Sequence, residues 1–67
     1  ESSVALFKAI AQLPENQQSA FVLAKIEQLS YAEIAQVLEL SIPAVESLLV
    51  RARQKLRELL KNFYENE

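Results

Sequence analysis

Apolar residues along this 67-residue chain return every three or four positions, and no stretch alternates apolar with polar for long. The first pattern is that of helices with one buried stripe, and a half-buried strand needs the second. Four helices and no sheet are therefore expected. The longest stripe, Val45, Leu48, Leu49, Ala52, Leu56, Leu59, Leu60 and Phe63, predicts a helix over 42–63. Ser41 stands where it can cap this helix, and Pro43 falls in its first turn, where no amide donor is missed. The tail "NFYENE" is expected to fray after Phe63 or Tyr64.

A shorter helix is predicted over 31–38, with Tyr31, Ile34, Ala35 and Leu38 facing inward. Its start, "SYAE", has the form of a capping box, in which Ser30 and Glu33 satisfy each other's amides. Upstream, a helix over 15–28 contains "AFVLAKI", apolar almost all round, and should be the central helix. The first helix, over 3–12, is expected to face the core with Val4, Phe7, Ile10 and Ala11, capped by Ser2 or Ser3 and ended by Pro14.

Composition narrows the function. Cys and His are both absent, which excludes disulfides, thiolate chemistry and ordinary zinc or haem sites. There is no Gly at all, hence no Gly-rich phosphate loop, and carboxylates such as Glu15 and Glu27 have no partner pattern for acid–base work. An enzyme is not expected, nor is a cofactor, metal or small-molecule ligand. No run approaches the roughly 18 apolar residues of a membrane span, and no signal-peptide pattern opens the chain. The lack of Cys fits a reducing cytosol. One domain, residues 1–67, is expected, and the opening "ESS" without Met is what a fragment of a longer protein would show.

Net charge is −2, against the usual balance of a nucleic-acid binder, but the charge is unevenly spread. Residues 1–40 hold two basic and five acidic residues, whereas "RARQKLRELLK" at 51–61 holds five basic and one acidic. This stripe is either a solvated helix face or the footprint of a polyanion.

The two short-linked helices after residue 30 fit a helix-turn-helix, which needs an apolar lock across a tight corner and a small residue at the crossing. Ile34, Leu38 and Leu40 on one limb and Val45 and Leu48 on the other supply the lock, and Ala35 is the small residue. The expected fold is all-α: a compact four-helix domain ending in a helix-turn-helix over 31–60, of the winged-helix-like class without the wing.

Residues 13–60, "LPENQQSAFVLAKIEQLSYAEIAQVLELSIPAVESLLVRARQKLRELL", resemble region four of bacterial sigma factors, specifically the extracytoplasmic-function group. The "LP" opening, the "LSYAEIA" helix, the "LS" corner and the V-x-S-L-L-x-R-A-R-x-x-L-R run carry the resemblance. It implies recognition of the −35 promoter element in the major groove of double-stranded DNA, docking on the β flap of core RNA polymerase, capture by an anti-sigma factor, and a bacterial cytoplasmic location. It also implies Gly at the corner, Lys near position 46 and Arg near position 49, where this chain has Glu39, Glu46 and Leu49. A left-handed Glu39 costs roughly 1 kcal/mol, and the other departures imply an altered sequence preference and weaker binding.

The residues expected to face the groove are Ile42, Pro43, Ala44, Glu46 and Ser47, then Val50 and Arg51. Pro43 and Ala44 can touch a thymine methyl, and Ser47 can donate or accept at a purine. Glu46 either accepts from the amino group of cytosine or is a solvated residue favoured by the helix macrodipole. Phosphate contacts are expected from the helix starts beside Ser30 and Ser41, from Tyr31 if its hydroxyl is accessible, and from Arg51, Gln54, Arg53 or Lys55. Two other readings stand beside this one. A protein-interaction module would use the apolar residues of the first two helices and an exposed Val22, Leu49 or Val50. The output domain of a response regulator shares the corner and the long last helix.

Overall fold

The computed structural model describes residues 2–65, with side chains described over 4–62. Four helical segments follow one another: α1 (Ser2–Ala11), α2 (Glu15–Phe21, continued by a π-helical segment Val22–Ile26), α3 (Tyr31–Leu38) and α4 (Ile42–Glu65). Among the described residues there is no strand. At about 1.5 Å per residue, the 24 residues of α4 extend about 36 Å and set the long dimension of a 40 × 18 × 15 Å molecule.

Every other helix packs against α4. Its buried residues Val45, Leu49, Ala52 and Leu56 lie on one stripe, with Leu48, Leu59 and Leu60 half-buried at its margins. The expected placement of Phe63 in that stripe lies outside the described side chains. The first half of the stripe, Val45 and Leu49, meets Ile34 and Ala35 of α3 and Ala20 of α2. The second half, Ala52 and Leu56, meets Ala9 and Ile10 of α1, Leu13 of the turn after it and Phe21 of α2. Adjacent residues Ala20 and Phe21 thus enter different halves of the core, which makes α2 the wedge between them.

The turns differ from expectation in instructive ways. The helix predicted over 15–28 changes character at Val22 and ends at Ile26; the Glu27 amide donates to the Val22 carbonyl (3.0 Å) and the Leu29 amide reaches back to Leu23 (3.0 Å). The wider π turn distributes consecutive apolar residues, with Val22 on the α1 side and Leu23 and Ala24 on the α3 side. Gln28 follows with φ 60°, a left-handed residue the sequence did not announce. The second left-handed residue is Glu39 (φ 58°, ψ 47°), as the corner requires. It completes a Schellman turn: the Leu40 amide donates to the Ala35 carbonyl (2.9 Å) and the Glu39 amide to that of Gln36 (3.3 Å). Both hydrogen bonds of the Ser30–Glu33 capping box form, and the Ala44 amide donates to Ser41 Oγ (3.2 Å).

Three packing expectations are corrected. In α1 the inward residues are Ala5, Ala9 and Ile10, while Val4, Phe7 and Ala11 are exposed, because the small Ala5–Ala9 ridge permits closer approach to α4 than a stripe led by Phe7. Leu40 lies at the rim of the helix-turn-helix lock, and Leu49, fully buried, takes the central place. Leu49 is therefore unavailable to a partner, and the charged residue expected near that position would have to sit in the core. The helix also runs through to Glu65 instead of ending near Phe63. The two Ser candidates for the α1 cap, Ser2 and Ser3, have side chains outside the described set.

Two outcomes follow for stability. Glu39→Gly removes a left-handed penalty and should stabilise by roughly 1 kcal/mol, raising the melting temperature by about 4–8 °C; no rise on thermal unfolding followed by circular dichroism would contradict a strained corner. Leu49→Ala should cost about 2–5 kcal/mol, enough to unfold much of so small a domain, while its neighbour change Val50→Ala stays within about 0.5 kcal/mol. Urea titration of both variants checks the contrast.

Candidate nucleic-acid interface

The surface of α4 opposite its buried stripe is organised in two ridges. Ile42, Glu46, Val50 and Gln54 follow one another at intervals of four residues, all exposed. Beside them run Pro43, Ser47, Arg51 and Lys55, again at intervals of four and all exposed. The first ridge carries one negative charge and no positive one; the second changes from neutral to cationic as it advances.

The cationic end has a defined neighbour. Arg51, Gln54, Lys55 and Glu58 of α4 line a cleft of about 310 Å³ with Pro14 and Gln17 at the start of α2. Gln17 Oε1 is buried and has no hydrogen-bond partner among the described residues. Arg53 is exposed near the first ridge, at 53 in the chain. The basic run over 51–61 is thus split between flanks of the helix instead of forming one continuous line.

The remaining predicted residues cluster at the starts of α3 and α4. Ser30 and Ser41 are exposed, but their hydroxyls are already engaged as caps by the amides of Glu33 (3.1 Å) and Ala44 (3.2 Å). A capped hydroxyl still has its own hydrogen to donate to an anion. Tyr31, expected to face inward, is instead 37% exposed and stands outside the buried core. Ala44 is half-buried, turned further towards the core than the groove-facing set allows for. Ile42 and Val50 are 44% and 48% exposed. The tertiary structure therefore brings Ile42, Pro43, Glu46, Ser47, Val50, Arg51 and Gln54 to one outer surface, with Ser30, Tyr31 and Ser41 at the helix starts around the corner. Nothing in the sequence spacing brings Pro14 and Gln17 to Arg51 and Lys55, which share one cleft only because the start of α2 lies beside α4.

Comparison with known proteins now gives the chain its relatives. The sequence pattern of the family described as "Sigma-70, region 4" matches residues 3–56. The RNA polymerase sigma-H factor of Pseudomonas aeruginosa is 34% identical over 61 residues, covering 91% of this chain and 32% of that protein. The RNA polymerase sigma factor YlaC of Bacillus subtilis is 34% identical over 65 residues (97% of this chain, 38% of the relative). The ECF RNA polymerase sigma-E factor of Haemophilus influenzae is 32% identical over 56 residues (84% and 30%). The chain spans about a third of the length of the curated relatives it matches. These are sigma factors and not response regulators, and region 4 is a non-enzymatic domain of transcription initiation. With the helix-turn-helix in place and the family pattern covering residues 3–56, the chain belongs to the sigma-70 region 4 family.

Proposed function

We propose that this domain binds double-stranded promoter DNA, at the −35 element, by laying the first turns of α4 in the major groove, and so directs RNA polymerase to promoters. The observation that carries the reading is the surface formed by Ile42, Glu46, Val50 and Gln54 beside Pro43, Ser47, Arg51 and Lys55, exposed on a helix held out by the locked corner. In this reading Ile42, Pro43, Glu46, Ser47 and Val50 meet base edges, and Ala44, half-buried, stands behind them. Ser30, Tyr31, Ser41, Arg51 and Gln54 meet the sugar–phosphate backbone and set the register. The net charge of −2 belongs to the whole surface, whereas Arg51 and Lys55 stand together beside the groove-facing ridge.

A second surface supports a partner-binding role on the same domain. A shallow, largely apolar groove of about 410 Å³ runs between α2 and α3, lined by Gln18, Ser19, Val22, Leu23, Val37 and Leu38. Val37 is 59% exposed there. This groove lies apart from the start of α4 and suits the RNA polymerase core, through its β flap, or an anti-sigma factor. A bacterial cytoplasmic location goes with this role, and no described helix is long and apolar enough to cross a membrane.

With three or four phosphate contacts, the affinity for a short duplex should fall by roughly 40- to 150-fold between 50 and 200 mM salt. Arg51→Ala should lower the slope of log affinity against log salt by about one. Fluorescence anisotropy of a labelled duplex measures both; a salt-independent signal, or an unchanged slope in the variant, would count against backbone contact through Arg51. In an amide-shift titration by NMR, DNA should move Ser30, Tyr31, residues 41–47 and Arg51 and leave Val22, Leu23 and Val37 in place. The reverse pattern would make the α2–α3 groove the primary site.

A further inference from the structure

The base-facing part of α4 contains no cation. Between Ile42 and Val50 the helix offers apolar side chains, the Ser47 hydroxyl and the Glu46 carboxylate, and its first basic residue, Arg51, lines the cleft with Pro14 and Gln17. The commonest specific contact to DNA, Arg or Lys reaching O6 and N7 of guanine, has no donor between Ile42 and Val50; the nearest cations, Arg51 and Arg53, follow beyond this stretch. A carboxylate accepts hydrogen bonds only, so Glu46 is repelled by the acceptor pair of guanine and matched by the N4 amino group of cytosine. Apolar groups match the C5 methyl of thymine. Both features belong to pyrimidines.

The order along the ridge sharpens the inference. Ile42, Glu46 and Val50 are four residues apart, or about 6 Å along the axis of α4, so in the groove each meets a different base pair. Ile42 and Val50, 44% and 48% exposed, stand on either side of the carboxylate. Resting on the DNA-binding reading above, we propose that this domain selects pyrimidine edges: a cytosine under Glu46, flanked on its two sides by thymines under Ile42 and Val50, with guanine rejected at the Glu46 position.

The test is selection of duplexes from a random pool at low salt by this chain and by its Glu46→Lys and Val50→Ala variants, each first shown by circular dichroism to be helical. The wild-type chain should enrich a cytosine flanked by thymines, and Glu46→Lys should convert that cytosine to guanine while leaving the flanks. In the selected duplex, replacing one flanking thymine by deoxyuridine removes only a methyl and should weaken wild-type binding about fourfold. Val50→Ala should erase that effect at one flank alone. A pool that is retained without enrichment overturns the proposal and leaves DNA binding intact. So does guanine at the Glu46 position in the wild-type pool, or indifference to deoxyuridine at both flanks. No retained duplex at low salt removes the DNA-binding reading itself and this proposal with it.

Discussion

Everything in this domain depends on one apolar stripe of α4 being seated across α2. Val45 and Leu49 hold the helix-turn-helix half, Ala52 and Leu56 hold the α1 half, and Ala20 and Phe21 of α2 stand between them. A chain of 67 residues cannot bury two separate cores, so a single long helix serves both. The consequence for the outer surface is direct. Once the stripe is fixed inward, the rotation of α4 is fixed, and with it the line of Ile42, Glu46, Val50 and Gln54 on the far side.

The corner between α3 and α4 fixes the remaining degree of freedom, the angle at which α4 leaves its partner. Here the chain reaches a left-handed conformation at Glu39 without glycine and closes it with paired backbone hydrogen bonds to Ala35 and Gln36. Gln28 is left-handed too, just before α3, and the Leu29 amide after it donates to the Leu23 carbonyl. Two left-handed non-glycine residues in a chain with no glycine imply that the packing of Ile34, Leu38 and Leu29 around Leu49 outweighs the local cost. Capping by Ser30 with Glu33, and by Ser41, then satisfies the amides at both helix starts, so that the turn is held by hydrogen bonds as well as by core.

The outer face of α4 separates two tasks. In the DNA-binding role proposed above, its neutral to acidic ridge is the one that would meet bases, and its cationic ridge, which closes a cleft against the start of α2, the one that would attract the backbone. The apolar groove between α2 and α3 adds a third surface, lined in part by Val22 and Leu23 at the start of the π-helical segment.

The sequence by itself determined the helices that have strong local chemistry. The limits of α3 were legible because Ser30, Glu33 and the left-handed corner are local hydrogen-bonding signals, and the start of α4 because Ser41 and Pro43 act within one turn. The family was legible too, since its motifs are contiguous. The candidate site residues were legible as exposed positions of a periodic helix, with Ala44 turned further inward than expected. What only the tertiary structure decided was everything set by competition between surfaces. Val4, Phe7 and Ala11 fit a helical stripe as well as Ala5 and Ala9 do, and only the close approach of α4 selects the small pair. Leu40 and Leu49 both fit the lock by spacing, and only the rotation of α4 decides that Leu49 is at its centre. The π turn follows a stretch whose consecutive apolar residues are divided between the two halves of the core, a division that no local pattern records. The cleft joining Pro14 and Gln17 to Arg51 is likewise a meeting of residues distant in sequence, made only when α2 lies across α4.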